Sequence, residues 1–381
     1  MKKKILIVDD SALMRRMMCD IINSDERFEV ADTAADGLEG FKLIVDNKYD
    51  AVVLDVYMPR MTGLQMLEEL NKAHVSAKVM MSSTTTAAGA RETLTALELG
   101  AIDFIKKPEN VADTRHEEFR NRFLETLYAV ACSNVLRPAV RPKTGSSSAG
   151  RTFSARYDVN FHTTAEKFSK DRSEAAGNAA VRRGARISGN KIVAIASSTG
   201  GPRALQDVIP YLPAELNAPV VLVQHMPKGF TATLASRLND VSPITVSEAK
   251  DGDKLEKGHV YIAPGGMHLN VDHKRDGSYS IRLSDEPTRE GVKPCANYMY
   301  ESLQDSAFDE IVCVVMTGMG ADGTAGIKNL NQKKKIHVIA QDEASSTVYG
   351  MPKAIANTGL VNEVVPLEGI AEQIIKNVGV Q

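Results

Sequence analysis

Ile192-Val193-Ala194-Ile195-Ala196-Ser197-Ser198-Thr199-Gly200-Gly201 opens the second half of this 381-residue chain. Five consecutive apolar positions, rich in β-branched side chains and stopped by Ser and Gly, read as a strand buried on both faces. Two further runs follow the same rule. Val220–Val223 passes into Gln224-His225, and Ile311–Met316 passes into Thr317-Gly318-Met319-Gly320-Ala321-Asp322-Gly323. Strands covered on both faces belong to parallel sheets flanked by helices, and in such sheets ligands gather beyond the carboxyl ends of the strands. A hydroxyl, an imidazole and a carboxylate, distant in sequence, are thereby expected at one rim.

Those three groups are what nucleophilic acyl transfer needs. A serine hydroxyl attacks poorly until a base takes its proton, and histidine is the usual base near neutral pH. A carboxylate behind the imidazole holds its tautomer and stabilises the imidazolium. Ser198, His225 and Asp322 can fill these roles, in a chain order unlike the familiar ones, although triads are recognised by geometry. Each alone reads as decoration of a strand end, since Ser and Gly are common in turns. Three together at three strand ends point to catalysis.

The first half repeats the architecture. Ile5–Val8, a weaker Val30–Ala31, Ala51–Leu54, Lys78–Met81 and Ile102–Ile105 are strand candidates. Met14, Met17, Met18, Ile21 and Ile22 form a helical stripe between the first two, and Leu38, Phe41, Ile44 and Val45 form the next. Five βα units predict a doubly wound parallel sheet. The expected fold is α/β throughout, with domains at 1–130 and 191–381.

Between them, residues 131–190 are expected to be a flexible basic linker. Pro138, Pro142 and Gly145-Ser146-Ser147-Ser148 carry no sustained strand pattern, and positions 134–190 hold eleven basic residues against four acidic. Phe153, Tyr157, Phe161 and Phe168 nevertheless share one helical face, so a plain tether and a short docking helix both stand.

Composition bounds the function classes. The whole chain has 46 basic and 48 acidic residues, so no global field favours nucleic acid. Cys19, Cys132, Cys295 and Cys313 are far apart, a reduced cytoplasmic pattern without zinc spacing. The apolar run after the three opening lysines is four residues long, neither a signal peptide nor a membrane span.

Asp9 and Asp10 follow the first strand and Asp55 ends the third, so three carboxylates should meet at one rim. Such a cluster repels itself unless a hard cation such as Mg²⁺ neutralises it. Ser82 and Lys107 add a hydroxyl and an ammonium at the same edge. A carboxylate nucleophile, Mg²⁺ and a lysine together stabilise a transferring phosphoryl group. Taken singly, Asp10 and Asp55 also suit helix N-caps.

This set, with Asp55-x-x-Met58-Pro59-x-x-x-Gly63 and Phe104-x-x-Lys107-Pro108, closely resembles the receiver domain of two-component response regulators. The resemblance implies a flavodoxin-like fold, phosphorylation of Asp55 by a histidine kinase of the chemotaxis CheA type, and Mg²⁺ on Asp9, Asp10 and Asp55. It implies that Ser82 and Phe104 report phosphorylation to the surface. The second half, through Ser198-Thr199-Gly200-Gly201-Pro202, Gln224-His225-Met226-Pro227, Ala263-Pro264-Gly265-Gly266-x-His268, Gly318-Met319-Gly320-x-Asp322-Gly323 and Val348-Tyr349-Gly350-Met351-Pro352, resembles the chemotaxis protein-glutamate methylesterase/glutamine deamidase (CheB) family. That implies a Rossmann-like hydrolytic domain with the Ser198–His225–Asp322 triad, the Met319 amide at the oxyanion, and no cofactor there. Substrates would be γ-glutamyl methyl esters or glutamines on the cytoplasmic helices of methyl-accepting chemoreceptors. The chain departs from the family's usual residues at Ala196, Ser197, Val292 and Asn297. A DNA-binding output conflicts with the βα alternation. A nucleotide site at Ser198–Gly201 lacks both common phosphate-loop patterns.

Overall fold

The structure is a computed structural model, and it describes residues 1–83, 86–107, 117–134 and 189–381. The linker aromatics Phe153, Tyr157, Phe161 and Phe168 lie outside the described residues.

In the first half, β1 (Lys3–Val8), β2 (Phe28–Ala34), β3 (Ala51–Asp55), β4 (Val79–Ser83) and β5 (Asp103–Lys106) form one parallel sheet in the order β2-β1-β3-β4-β5. Helices α1 (Ala12–Asn23), α2 (Gly37–Asp46), α3 (Gly63–Lys72), α4 (Ala87–Glu98) and α5 (Glu117–Cys132) connect and flank it. This is the flavodoxin-like order. The inner strands β3 and β4 are buried at every position, which is why their sequences are continuously apolar. β2 is an edge strand with Ala31–Thr33 exposed, so its apolar signal is weak although six of its seven residues pair.

The expected apolar stripe of α2 is corrected by one face. Leu38 and Val45 are exposed, whereas Gly37, Gly40 and Ile44 are buried. A Cβ on Gly40 would lie 2.8 Å from Val8 Cγ1, and one on Gly37 2.5 Å from the Met61 carbonyl oxygen, so this helix seats Gly40 on β1 and Gly37 against Met61. Glycine contact surfaces do not appear in a hydrophobic pattern.

In the second half, seven parallel strands run β14-β13-β12-β6-β7-β9-β8. They are β6 (Lys191–Ser197), β7 (Val220–Gln224), β8 (Thr245–Glu248), β9 (His259–Ile262), β12 (Glu310–Val315), β13 (Ile336–Gln341) and β14 (Glu363–Val365). An antiparallel hairpin, β10 (His268–His273) with β11 (Tyr279–Ser284), stands apart from the main sheet. Helices α6 (Gly201–Gln206), α7 (Phe230–Val241), α8 (Ala296–Ser302), α9 (Thr324–Asn331), α10 (Met351–Ala356) and α11 (Ile370–Val378) complete it. β6, β7 and β12 are buried along their whole length or nearly so.

The strand order determines where the chemistry can sit. β6 pairs with β7 on one side and β12 on the other, so successive connections leave in opposite directions. Such a switch point opens a crevice at the carboxyl ends of the strands. Ser197 pairs with Gln224, and Val315 with Ala196, so the three predicted strand ends lie side by side. Ala196 is an ordinary buried strand residue, absent from the positive-φ positions, so alanine imposes no strain there.

Both sheets lie in one compact unit. The Phe104 ring of β5 stacks on Phe230 of α7 at 4.6 Å, Arg237 pairs with Glu98, and the Asn134 amide donates to the Thr347 carbonyl at 3.2 Å. Cys19 and Cys132 are half-buried and exposed, Cys295 and Cys313 buried, and all four are free thiols. No helix of the structure is long and apolar enough to cross a membrane among the described residues.

Candidate functional site

The end of β6 makes an abrupt turn into α6. The Gly201 amide donates to the Ser198 carbonyl at 2.7 Å, and Gly200 has φ +75°, a backbone that side chains disfavour. Alongside, the loop after β12 runs close to the same turn. The Ser198 amide donates to the Thr317 carbonyl at 3.0 Å, and a Cβ on Gly318 would come within 2.7 Å of Ser198 Cβ. The loop needs glycine there to approach so closely. On the other side, the His225 amide donates to the Ser197 carbonyl at 3.2 Å.

These backbone contacts bring the three side chains together. His225 Nδ1 lies 3.0 Å from Ser198 Oγ, and His225 Nε2 lies 2.7 Å from Asp322 Oδ2. With the proton on Nε2 donated to Asp322, the Nδ1 lone pair is free to accept the Ser198 hydroxyl proton. The adjacent Ser197 is fully buried and donates instead to Gln224 Oε1 at 2.7 Å, so only Ser198 reaches the imidazole.

Asp322 is 3% exposed and accepts several hydrogen bonds besides that of His225. Oδ2 also takes the Ala296 amide at 2.6 Å, while Oδ1 takes the Asn297 amide at 3.0 Å, the Gly323 amide at 2.8 Å and the Cys295 thiol at 3.0 Å. Ala296 and Asn297 begin α8, so Asp322 occupies that helix N-terminus, where negative charge is favoured. Burial alone would raise its pKa, but the His225 hydrogen bond and charge, with the thiol and amide donors, pull it down to about 2. A carboxylate so held stays charged throughout the neutral range.

Among the described residues, the backbone amides of Thr199 and Met319 have no hydrogen-bond partner. Both flank Ser198, one by chain continuity and the other through the Gly318 approach. The family resemblance points to Met319 and not to Thr199, although a strand-to-helix turn with a nucleophile at its apex commonly offers the next amide. Asn297 is fully buried, accepts the Gly326 amide at 2.6 Å and donates to Glu290 Oε1 at 2.8 Å. Its amide group thus serves both a donor and an acceptor beside Asp322. Val292 closes a turn, its amide donating to the Arg289 carbonyl at 3.2 Å.

The second cluster sits at the carboxyl rim of the other sheet. Oxygens of Asp9, Asp10 and Asp55 lie within 4.8 Å of one another, with Asp9 and Asp55 buried and Asp10 exposed. Lys107 Nζ is 2.8 Å from Asp9 Oδ2 and 2.7 Å from Asp55 Oδ2. The helix-cap readings are not realised: Ser11 caps α1, and Thr62 caps α3 with a full capping box. Burial pushes the Asp55 pKa up to about 6, Lys107 opposes it and Asp9 adds to it. Three converging carboxylates against one ammonium leave an excess of negative charge, and the all-oxygen donor set fits a hard divalent cation. Ser82 Oγ is buried at this rim without a hydrogen-bond partner among the described residues. Phe104, 7% exposed, is held by the stack on Phe230.

The Asp103 carboxylate, raised in pKa chiefly by its burial, lies close enough to Thr199 and His225 to be affected by both.

Comparison with known proteins gives two family matches: the response regulator receiver domain over residues 5–117 and the CheB methylesterase over residues 193–374. A protein-glutamate methylesterase/protein-glutamine glutaminase of Geobacillus kaustophilus is 38% identical over 376 residues, covering 99% of either chain. One of the same description from Bacillus subtilis is 39% identical over 385 residues, covering 97% of either. The solved catalytic domain of Thermotoga maritima CheB methylesterase is 39% identical, covers 50% of this chain and 99% of its own, and superposes with a TM-score of 0.47.

Proposed function

The chain belongs to the CheB protein-glutamate methylesterase/protein-glutamine glutaminase family, and from that premise we propose that it is a phosphorylation-gated hydrolase of chemoreceptor glutamyl methyl esters and glutamines. The observation that carries this reading is the continuous hydrogen-bond chain Ser198–His225–Asp322 at three adjacent strand ends.

In the proposed reaction His225 Nδ1 takes the Ser198 proton as Oγ bonds to the ester carbonyl carbon. The carbonyl oxygen becomes an oxyanion, which the free Met319 and Thr199 amides stabilise. The bond to the methoxy group then breaks, and the proton on His225 leaves with it as methanol. Water, deprotonated by the same imidazole, attacks the glutamyl-enzyme, releasing the receptor carboxylate and restoring Ser198. With a glutamine substrate the leaving group is ammonia. Asp322, charged and tied down, keeps the proton on Nε2 so that Nδ1 faces the nucleophile.

In the receiver, Asp55 accepts a phosphoryl group from a CheA-type histidine kinase, and Lys107 pairs with the charge that arrives. Asp9, Asp10 and Asp55 would hold a Mg²⁺ ion, which would supply charge neutralisation for that transfer. Ser82 and Phe104 carry the change outward, and Phe104 is well placed to do so because its partner Phe230 belongs to the hydrolytic half. The unphosphorylated receiver rests on the hydrolytic half through the Phe104–Phe230 stack, and phosphorylation shifts the population away from that contact. The substrate places the enzyme in the cytoplasm, at the receptors' inner helices.

The test is methanol release from methylated receptor membranes, with and without a phosphodonor. Release that ignores the phosphodonor would remove the gating, and none from an esterified receptor under any condition would remove the activity.

A further inference from the structure

The Asp322 carboxylate is held by a residue that neither spacing nor pattern singles out. Cys295 is fully buried and stands at the N-cap position of α8, yet its side chain makes no bond to its own helix. It donates its S–H to Asp322 Oδ1 at 3.0 Å. The Cys295 backbone is itself latched: its amide donates to His268 Nδ1 at 3.2 Å, and His268 Nε2 donates to the Pro287 carbonyl at 3.2 Å. His268 is fully buried. Its two bonds require the neutral ring with the proton on Nε2.

We propose that Cys295 is a positioning residue of the triad, latched by His268, whose thiol sets how strongly Asp322 supports the imidazolium of His225. This rests on the reading of Ser198, His225 and Asp322 as the hydrolytic triad. The argument is one of competition for a single carboxylate. Every donor to Asp322 spreads its charge and leaves less for His225. Two amides hold Oδ1 whatever residue stands at 295, so the carboxylate's place survives loss of the thiol, and its basicity does not. Burial, and the neighbouring Asp322 charge, push the Cys295 thiol far up, which keeps it protonated and a donor. The S–H, although a weak donor, bonds Oδ1 in a buried site and so withdraws part of the carboxylate's charge.

The sign follows directly. Without the thiol, Asp322 is more basic, the imidazolium is better stabilised, and His225 must be deprotonated at higher pH before it can act as base. The other titratable or charged groups facing this cluster are Glu290 through Asn297, Arg289 beside Cys295, Tyr300 beside Asp322, Glu286 and Lys293 beside His268, and Asp103 beside His225. All are common to the variants compared, so a difference between them reports position 295.

The experiment is the pH dependence of kcat/KM for methanol release by the full chain carrying Cys295→Ala, Cys295→Val or Cys295→Ser, with Ser198→Ala as the reference for the triad. Ala removes the donor and leaves space, Val removes it and fills the space, and Ser keeps a donor. The acidic limb is expected to move to higher pH by roughly half a unit in the Ala and Val variants, with KM unchanged. The Ser variant, whose hydroxyl is the stronger donor, should keep the limb of the native chain or move it lower. A limb unmoved in both donor-less variants, or moved equally in the Ser variant, overturns the proposal. Native release by Ser198→Ala would overturn the triad itself. If the Ala variant does not fold, judged by its thermal melt, the Val and Ser variants decide the matter.

Discussion

Two adjacent serines differ by one step along the backbone, and that step separates a strand residue from the proposed nucleophile. Ser197 ends β6 and gives its hydroxyl proton to Gln224; Ser198 begins the turn and faces His225. Ser198→Ala is therefore expected to lower methanol release by on the order of 10³-fold or more, while Ser197→Ala keeps most of it, because only the first removes a covalent nucleophile. The reverse ranking would transfer the role to Ser197. Asp322 gives a second residue-scale test. Asp322→Asn should cost roughly 10³–10⁴-fold in kcat, since the amide cannot hold the proton on His225 Nε2. Asp322 also links folding to pH. Its folded pKa of about 2 lies below the ordinary carboxylate value, so its stabilisation is fully present above about pH 4 and lost as pH falls toward 2. Acid unfolding of Asp322→Asn should accordingly show a shallower loss of stability over that window than the native chain, read from melts in a pH series.

Among the elements, the turns rather than the helices hold the site. Gly318→Ala would drive a Cβ to 2.7 Å from Ser198 Cβ, and the loop carrying Met319 must then back away. Destabilisation of about 1–3 kcal/mol is expected, with kcat falling more than KM rises, as measured by melting and by steady-state rates. The elements that place the triad were also the legible ones. β6, β7 and β12 are covered on both faces, so their sequences are continuous apolar runs, and their ends could be read directly. β8 and β14, at the two edges of the sheet, are short and partly polar, and the hairpin β10–β11 interrupts the βα rhythm; none announced itself. α2 misled because glycines form its contact face. In the site, Ser198, His225 and Asp322 were legible as strand ends. Met319 entered only through resemblance. His268 entered only as part of a family motif, and the role of Cys295 was invisible because a tertiary contact across 27 positions leaves no periodic trace.

For the whole molecule, the contact between the two sheets is where signal must become activity. Arg237 of the hydrolytic half pairs with Glu98 of the receiver, both partly exposed. Arg237→Glu should loosen the resting contact and raise methanol release without phosphodonor, and adding Glu98→Arg should restore the low basal rate, a recovery that a general folding defect would not show. Asp55→Asn should abolish stimulation by a phosphodonor while leaving the basal rate, because the hydrolytic groups lie on the other sheet. The central claim, that phosphorylation of Asp55 releases hydrolysis at Ser198, is tested most directly by methanol release from methylated receptor membranes, comparing the native chain, Asp55→Asn and Ser198→Ala with and without phosphodonor. The native chain should be stimulated, Asp55→Asn should stay at the basal rate under both conditions, and Ser198→Ala should stay on the order of 10³-fold or more below the native rate in either. Stimulation that persists in Asp55→Asn, or release that persists in Ser198→Ala, would contradict it.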